Sequence, residues 1–126
     1  MYFIIDNTED GLIRLLFILN NKIVQKKYPG KAGSNLVACL DLALKNLKRK
    51  LTDIKGIGVV VGAGRFTAIR LAVTAANTLA YVLRVPVAAL KFGLPAADYL
   101  REIKKAKTGR YALPRYSGEA HIGVKK

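Results

Sequence analysis

The sequence feature that most constrains the fold is a short apolar run followed at once by glycines and a long uncharged stretch. The run is Gly56–Val61, GIGVVV, in which apolar and polar side chains do not alternate. A strand of this kind is typical of a sheet that is covered on both faces. Residues 62–70, GAGRFTAIR, then open an apolar helix that the pattern extends from Phe66 to Leu83. A buried strand, a glycine turn and an apolar helix together predict an α/β domain.

Three strand-like segments precede this unit, and one strand and one helix follow it. Asn20 and Asn21 join two of the strands, and this dipeptide tolerates the positive φ of a tight hairpin. The predicted strands are residues 2–6, 12–19, 23–28, 56–61 and 85–89, and the predicted helices are 34 or 35 to about 51, 66–83 and 95–103. The order βββαβαβα predicts a ribonuclease H-like mixed five-stranded sheet with helices on both faces. Because βαβ crossovers join parallel strands, we expect the last two strands to run parallel.

The length of 126 residues predicts a single domain. We place this domain at residues 1–103. Residues 104–126 are rich in basic side chains and have little periodicity, so they are predicted to form a basic tail that either packs on the domain or leaves it.

The charge of the chain is strongly unbalanced, with 22 Lys and Arg residues against 8 Asp and Glu residues and a formal net charge of +14. This excess favours an anionic partner such as nucleic acid, an acidic protein surface or a lipid headgroup, but a general basic bias or solubility explains it equally well. Cys39 is the only cysteine, which excludes an intramolecular disulfide and a multi-thiolate metal site. The N-terminus lacks the basic region of a signal sequence, and the apolar run 71–83 is shorter than the roughly 20 residues of a membrane span, so we predict a soluble cytoplasmic protein.

Groups that could carry catalysis are few. His121 is the only histidine, and no carboxylate or nucleophile is placed beside it. Asp6, Glu9 and Asp10 form the only acidic cluster, and a two-metal nuclease would need further acidic residues on later strands. We therefore predict no catalytic residue and no metal site.

The first strand ends in a turn that resembles the phosphate-gripping hairpin of actin-like ATPases. Asp6 and Thr8 lie in this turn, DNTEDG, and are the candidate remnant of a nucleotide site. Asn, Asp, Thr and Gly are ordinary turn residues, however, and this simpler explanation is favoured. No cofactor is predicted, and binding of ATP or ADP remains the less favoured alternative.

The GAGRFTAIR segment predicts a sharp turn from strand to helix. Gly62 and Gly64 provide the turn, and Thr67 is placed to satisfy free N–H groups of the first helical turn. The segment lacks the lysine of a P-loop. Arg65 lies at the positive end of the helix, which is unfavourable unless an anion or an acidic partner lies opposite. The turn is therefore predicted to be structural first and an anion site second.

The helix that follows has no charged side chain between residues 71 and 83. A helix that is apolar on every face must be buried on every face, and a domain of this size has little to cover the outer one. We therefore expect the outer face to pair with another chain, although burial between neighbouring elements is the alternative.

In this order of elements, GAGRFTAIR resembles the GPGSFTGLR segment of TsaB (YeaZ-type) proteins, the non-catalytic partners in making threonylcarbamoyladenosine in tRNA. The matching positions are Gly62, Gly64, Phe66, Thr67 and Arg70. FIIDNT at 3–8, LTDIKGIGVVVGAG at 51–64 and LAYVLRVPVAAL at 79–90 resemble other segments of the same family, so the resemblance covers about residues 1–100. Ala63, Arg65, Ala68 and Ile69 depart from the motif. The family carries a second half of similar size, and the chain is therefore expected to be a reduced, one-lobe member.

The resemblance implies a scaffold role. Family members join a TsaD-type catalytic subunit, or themselves, through their first two helices, and a TsaE-type ATPase and tRNA are further implied partners. The resemblance implicates the first two helices, with Arg70 at the matching motif position, and Thr74, Asn77 and Thr78 belong to a face of the second helix whose small residues suit close helix contact. The predicted interface residues are Asn35, Cys39, Phe66, Arg70, Thr74, Asn77, Thr78 and Tyr81. The chain is therefore expected to be a non-enzymatic subunit for threonylcarbamoyladenosine modification.

A different reading of the same sequence is a stand-alone basic RNA-binding domain. Its C-terminal tail would act as an electrostatic arm, with Tyr111 and Tyr116 available for stacking. The candidate RNA-contacting residues are Lys104, Lys105, Lys107, Arg110 and Arg115.

Overall fold

The computed structural model describes residues 1–20, 22–30, 36–64 and 66–113. The strands are β1 (Tyr2–Asp6), β2 (Leu12–Leu19), β3 (Lys22–Pro29), β4 (Gly56–Val61) and β5 (Val87–Lys91). The α-helices are α1 (Leu36–Leu47), α2 (Phe66–Leu83) and α3 (Ala96–Lys105), and a single 3₁₀ turn covers Leu51–Asp53. The predicted order of elements is confirmed.

The five strands form one mixed sheet in the order β3-β2-β1-β4-β5. β1, β2 and β3 are antiparallel neighbours, whereas β4 runs parallel to both β1 and β5. The hairpin between β2 and β3 pairs Leu19 with Lys22, and Asn20 has a φ of 55°. The strand pairing and the left-handed conformation of Asn20, which asparagine tolerates, agree with the predicted tight hairpin.

Each face of the sheet is covered by helices, as predicted. On one face Phe3, Ile5 and Val59 pack with the buried side chains of α1 and α2. On the other face Ile4 and Val60 pack with α3. All six residues of β4 are buried, which is why its sequence lacks the alternation of a half-exposed strand.

Among the boundaries that differ from the prediction, the end of α1 and the start of β5 share one cause. α1 ends at Leu47 rather than near Leu51, because Lys48 adopts a φ of 56° and the Arg49 N–H donates to the Leu44 carbonyl. α2 ends in the same way, with Arg84 at a φ of 58° and the Val85 N–H bonded to the Ala80 carbonyl. Both are left-handed C-terminal caps built on a charged residue instead of glycine, so no glycine marked them in the sequence. The second cap delays β5, which starts at 87 instead of 85.

α2 is long and apolar enough to cross a membrane by length and composition alone. In the structure its buried side chains pack against the sheet, which is the arrangement of a core helix. They are Ala68, Ile69, Ala72, Val73, Ala76 and Ala80. The rest of the helix surface is less covered, and Tyr81 and Val82 are 72% and 64% exposed. The expectation that every face is buried is therefore not met within this chain.

Candidate functional site

The turn between β4 and α2 is built against the turn that follows β1. Gly62 and Gly64 both have a φ of 91°, a conformation that side chains with a Cβ rarely adopt. A Cβ on Gly64 would lie 2.8 Å from the Thr8 Cα, whereas one on Gly62 would meet nothing within 4 Å. Gly64 therefore allows two backbone segments to touch, and Gly62 supplies the bend.

Asp6 organises the turn after β1. Its carboxylate accepts hydrogen bonds from the Thr8 N–H at 2.9 Å and from the Thr8 hydroxyl, and it lies 3.6 Å from the Arg14 guanidinium. In such an Asx-type turn the carboxylate oxygens of Asp6 are engaged by groups of the same chain. The contacts explain Asp6 and Thr8 as turn residues, and Thr67 lies exposed on the first turn of α2. Arg65, the proposed anion contact, lies outside the described residues.

A large cavity lies between α1 and α2. It has a volume of about 690 Å³ and reaches down to the side chains of Phe3 and Ile5 in the sheet. Its walls are mostly apolar and come from both helices: Leu36, Val37, Leu40 and Leu44 of α1, and Ala75, Thr78 and Leu79 of α2. We call this feature the docking groove.

Exposed apolar side chains also lie on both helices that form the docking groove. Val37 and Leu42 of α1 are 78% and 58% exposed, and Leu71 of α2 is 41% exposed. The C-terminal end of α1 adds charge, since Lys45, Arg49 and Lys50 line the rim while Asp41 pairs with Lys45 at 3.0 Å. Apolar walls with a mainly basic rim are chemically suited to an apolar surface that carries acidic side chains at its margin.

The predicted interface residues do not all reach this surface. Cys39 is a correction, because its side chain is 5% exposed in the core beneath α1 and burial raises the pKa of its thiol. Asn77 is held by two hydrogen bonds of 2.9 Å, its amide nitrogen donating to the Ala112 carbonyl and its amide oxygen accepting from the Ala112 N–H. Both residues therefore serve the fold. Asn35 lies outside the described residues.

The remaining predicted interface residues lie on the exposed side of α2. Phe66 is 53% exposed and the Arg70 guanidinium lies 5.4 Å from its ring centre. Thr74 is exposed, and its carbonyl accepts a hydrogen bond from the Thr78 hydroxyl at 2.8 Å. Of this set only Thr78 lines the docking groove, whereas Tyr81 lines a different groove beside residues 108–111. α2 thus contributes to two separate surfaces, whereas the sequence predicted a single interface.

The docking groove also contains residues that the sequence analysis did not single out as functional. Val37 is an apolar residue off the leucine stripe of α1, and this displacement is the signal that was available. Leu36, Leu40 and Leu44 fit the stripe and would be taken as ordinary core residues. These leucines also line the docking groove because α1 and α2 are separated by a gap. Helical periodicity does not predict that gap.

The basic residues predicted to contact RNA fall in two places. Lys104 lies 5.9 Å from the ring centre of Tyr2, at the end of α3. Lys105, Lys107 and Arg110 line one groove with Tyr111, beside the edge strand β5. Arg115 and Tyr116 lie outside the described residues.

Residues 23–92, more than half of the chain, match the family model described as TsaD: tRNA N6-adenosine threonylcarbamoyltransferase. No curated protein matches the chain significantly by sequence.

Solved structures share its fold. YeaZ from Pseudomonas aeruginosa is similar with a TM-score of 0.65 and 19% identity, over 71% of this chain and 44% of that one. An uncharacterized protein with similarity to peptidase YEAZ, from the same organism, has a TM-score of 0.64 and 20% identity, over 72% and 44%. The chain therefore spans less than half the length of these structures. They confirm the ribonuclease H-like fold expected from the TsaB (YeaZ-type) resemblance, and by its family model the chain belongs to the TsaD family, described as tRNA N6-adenosine threonylcarbamoyltransferase.

Proposed function

We propose that this chain is a non-catalytic subunit of the tRNA threonylcarbamoyladenosine modification machinery and that it binds a TsaD-type catalytic subunit through the docking groove. The observation that carries the proposal is the open apolar groove between α1 and α2, about 690 Å³ in volume. Family membership supports the place in tRNA modification, and the groove supports the role of a binding partner.

The chemistry of the groove fits a protein partner with an apolar surface and an acidic margin. Its leucine and alanine walls would be desolvated on binding, which is favourable by roughly 25 cal/mol per Å² of apolar surface removed from water. Lys45, Arg49 and Lys50 at the rim outnumber Asp41, so the charge favours acidic side chains opposite them. A TsaE-type ATPase would join such an assembly as a third component.

The non-catalytic part of the proposal is supported by what the first turn does. Asp6 is the most buried carboxylate among the described residues, at 8% exposure, and its oxygens are engaged by Thr8 and Arg14. A carboxylate engaged in this way holds a turn and is poorly placed to accept a substrate proton.

Replacing Val37 with glutamate tests the docking groove. Val37 is 78% exposed, so the change is expected to alter stability by less than about 0.5 kcal/mol. A buried charge at the interface should nevertheless weaken binding by at least about 30-fold, the equivalent of about 2 kcal/mol for desolvating an unpaired charge. The measurement is light scattering and titration calorimetry with the TsaD-type protein of the same genome.

Ile23→Glu is the matched control, because Ile23 is 52% exposed on the edge strand β3, on a different element from the groove. We expect a one-to-one complex for the unchanged chain and for Ile23→Glu, and a loss of complex for Val37→Glu. The absence of any complex with the unchanged chain, or equal binding by both variants, would contradict the proposal. A homodimer that Val37→Glu dissolves would instead assign the groove to a second copy.

A further inference from the structure

Residues 106–113, which we call the strap, cross from one face of the sheet to the other. They leave α3, whose Ile103 packs with Val60 on one face, and they bring Ala112 into the core beside α2 on the opposite face. A turn at 107–110 has Gly109 at a φ of 94° and a hydrogen bond from the Arg110 N–H to the Lys107 carbonyl. The two hydrogen bonds between Asn77 and Ala112 then fix the end of the strap on α2.

Because Ala112 is anchored on α2, the side chain of its neighbour Tyr111 faces solvent. Successive side chains of an extended segment point in opposite directions, so Tyr111 projects from the surface and is 46% exposed while Ala112 is 7% exposed. Tyr111 separates two shallow grooves. One, of about 320 Å³, also contains Tyr81, Arg84 and Thr108. The other, of about 400 Å³, runs between the strap and β5.

The two grooves are lined by positive charge. Arg84 lines the first, and Lys105, Lys107 and Arg110 line the second, while no Asp or Glu among the described residues lines either groove. Lys105 has an exposed contact of 3.4 Å with Glu102, and such surface pairs contribute little. In the described part of the chain, the ion pairs do not involve Arg84, Lys107 or Arg110.

We propose that the strap surface, formed by Tyr81, Arg84, Lys105, Lys107, Arg110 and Tyr111, binds an unpaired stretch of nucleic acid. Exposed aromatic rings set among cations suit a single strand, whose bases stack on the rings while its phosphates contact the cations. An acidic protein segment would use the cations but would leave both tyrosine rings unexplained. Tyr111 is already held in an exposed position by the strap. Binding therefore costs less conformational entropy than it would if the segment had to become ordered first.

This inference goes beyond the docking proposal and uses a different surface. The docking groove is lined on α2 by Ala75, Thr78 and Leu79, whereas the strap surface uses Tyr81 and Arg84. The two surfaces share no lining residue. Only the choice of tRNA as an additional probe rests on the proposed function.

The test measures binding of fluorescent 12-nucleotide single strands to the whole chain by anisotropy, between 50 and 200 mM salt. We use RNA, DNA of the same sequence, an RNA duplex and tRNA. Tyr111→Leu keeps an exposed apolar side chain but removes stacking, so single-strand affinity should fall at least about fivefold. Combining Lys107→Gln with Arg110→Gln should reduce the slope of log affinity against log salt by about 1.4, because each phosphate contact contributes about 0.7.

The matched control combines Lys22→Gln with Lys27→Gln on β3, at the opposite edge of the sheet from β5. It removes the same net charge as Lys107→Gln combined with Arg110→Gln. An equal loss of single-strand affinity in the two double variants would attribute binding to overall charge and overturn the proposal. Failure of Tyr111→Leu to weaken binding, or tighter binding of polyglutamate than of either single strand, would also overturn it. Equal affinity for RNA and DNA supports a general single-strand site, and preference for RNA supports an RNA site. Complex formation with the TsaD-type protein should be unchanged by Tyr111→Leu, which separates this surface from the docking groove.

Discussion

Replacing Gly64 with alanine is expected to lower the free energy of unfolding by about 2–5 kcal/mol, the largest effect that we predict for a single methyl group. The backbone contributes one part, because a φ of 91° is strained for any residue with a Cβ. The contact with the first turn contributes the rest, since the new Cβ would lie 2.8 Å from the Thr8 Cα and 2.9 Å from its carbonyl oxygen. Both atoms belong to the backbone and have no side-chain rotation with which to move aside.

Gly62→Ala separates these two contributions. Gly62 has the same φ of 91°, but a Cβ there would meet no atom within 4 Å. We expect a loss of only about 1–2 kcal/mol from backbone strain. Urea denaturation of the two variants, followed by circular dichroism, measures the difference. Equal losses would show that the close approach to Thr8 is unimportant for stability, and a neutral Gly64→Ala would contradict the geometry of the turn.

Replacing Asn77 with alanine is expected to destabilise the chain by about 1–3 kcal/mol, because it leaves the N–H and carbonyl of Ala112 without their partners. Water would replace part of what is lost, since both groups are only partly buried. The variant should also release the strap and therefore weaken single-strand binding together with stability. Thermal unfolding and the anisotropy assay measure the two effects.

Asn77→Asp is the informative companion to this change. A carboxylate keeps the acceptor for the Ala112 N–H but faces the Ala112 carbonyl with negative charge, whereas the protonated acid can donate to that carbonyl. Relative to the unchanged protein at the same pH, the variant should therefore be more stable below the ordinary aspartate pKa of about 3.9 than at pH 7. A stability difference that is independent of pH would show that the pair with Ala112 does not hold the strap.

The contact between Asn77 and Ala112 also determines which residue is suitable for testing an interface on α2. From sequence, Asn77 is a polar position on an otherwise apolar helix and is predicted to face a partner. In the structure its amide is engaged by Ala112, 35 residues away, so a bulky replacement would damage the fold before it reported on a partner. Val37 is the better position, because it is exposed and its side chain lines the docking groove.

The fold could be predicted in detail because its signals are local. The unbroken apolar run of β4 indicates a strand covered on both faces, and the positive φ expected at Asn20 is present at the hairpin. Chain order then restricts the topology, since β4 and β5 are joined by a helix and must run parallel. The end of α1 and the start of β5 were harder, because the left-handed caps at Lys48 and Arg84 carry a charged residue where glycine is usual.

The candidate sites were only partly predictable. Cys39 was assigned to an interface and lies in the core, on the same buried side of α1 as Leu36, Leu40 and Leu44. Tyr81 and Thr78 were assigned to one interface and lie on two different grooves, because Thr78 faces the gap beside α1 whereas Tyr81 lies beside Thr108 and Tyr111 of the strap.

The sequence by itself determined the order of elements, the parallel pairing of the last strands and the two glycines of the β4–α2 turn, because hydrophobic period and backbone propensity act over a few residues. Only the tertiary structure decided that α1 and α2 stand apart over Phe3 and Ile5, and that Ala112 reaches Asn77 to hold Tyr111 outward. Both features depend on contacts between residues tens of positions apart. Such contacts follow from how the elements pack, and no local pattern in the chain records them.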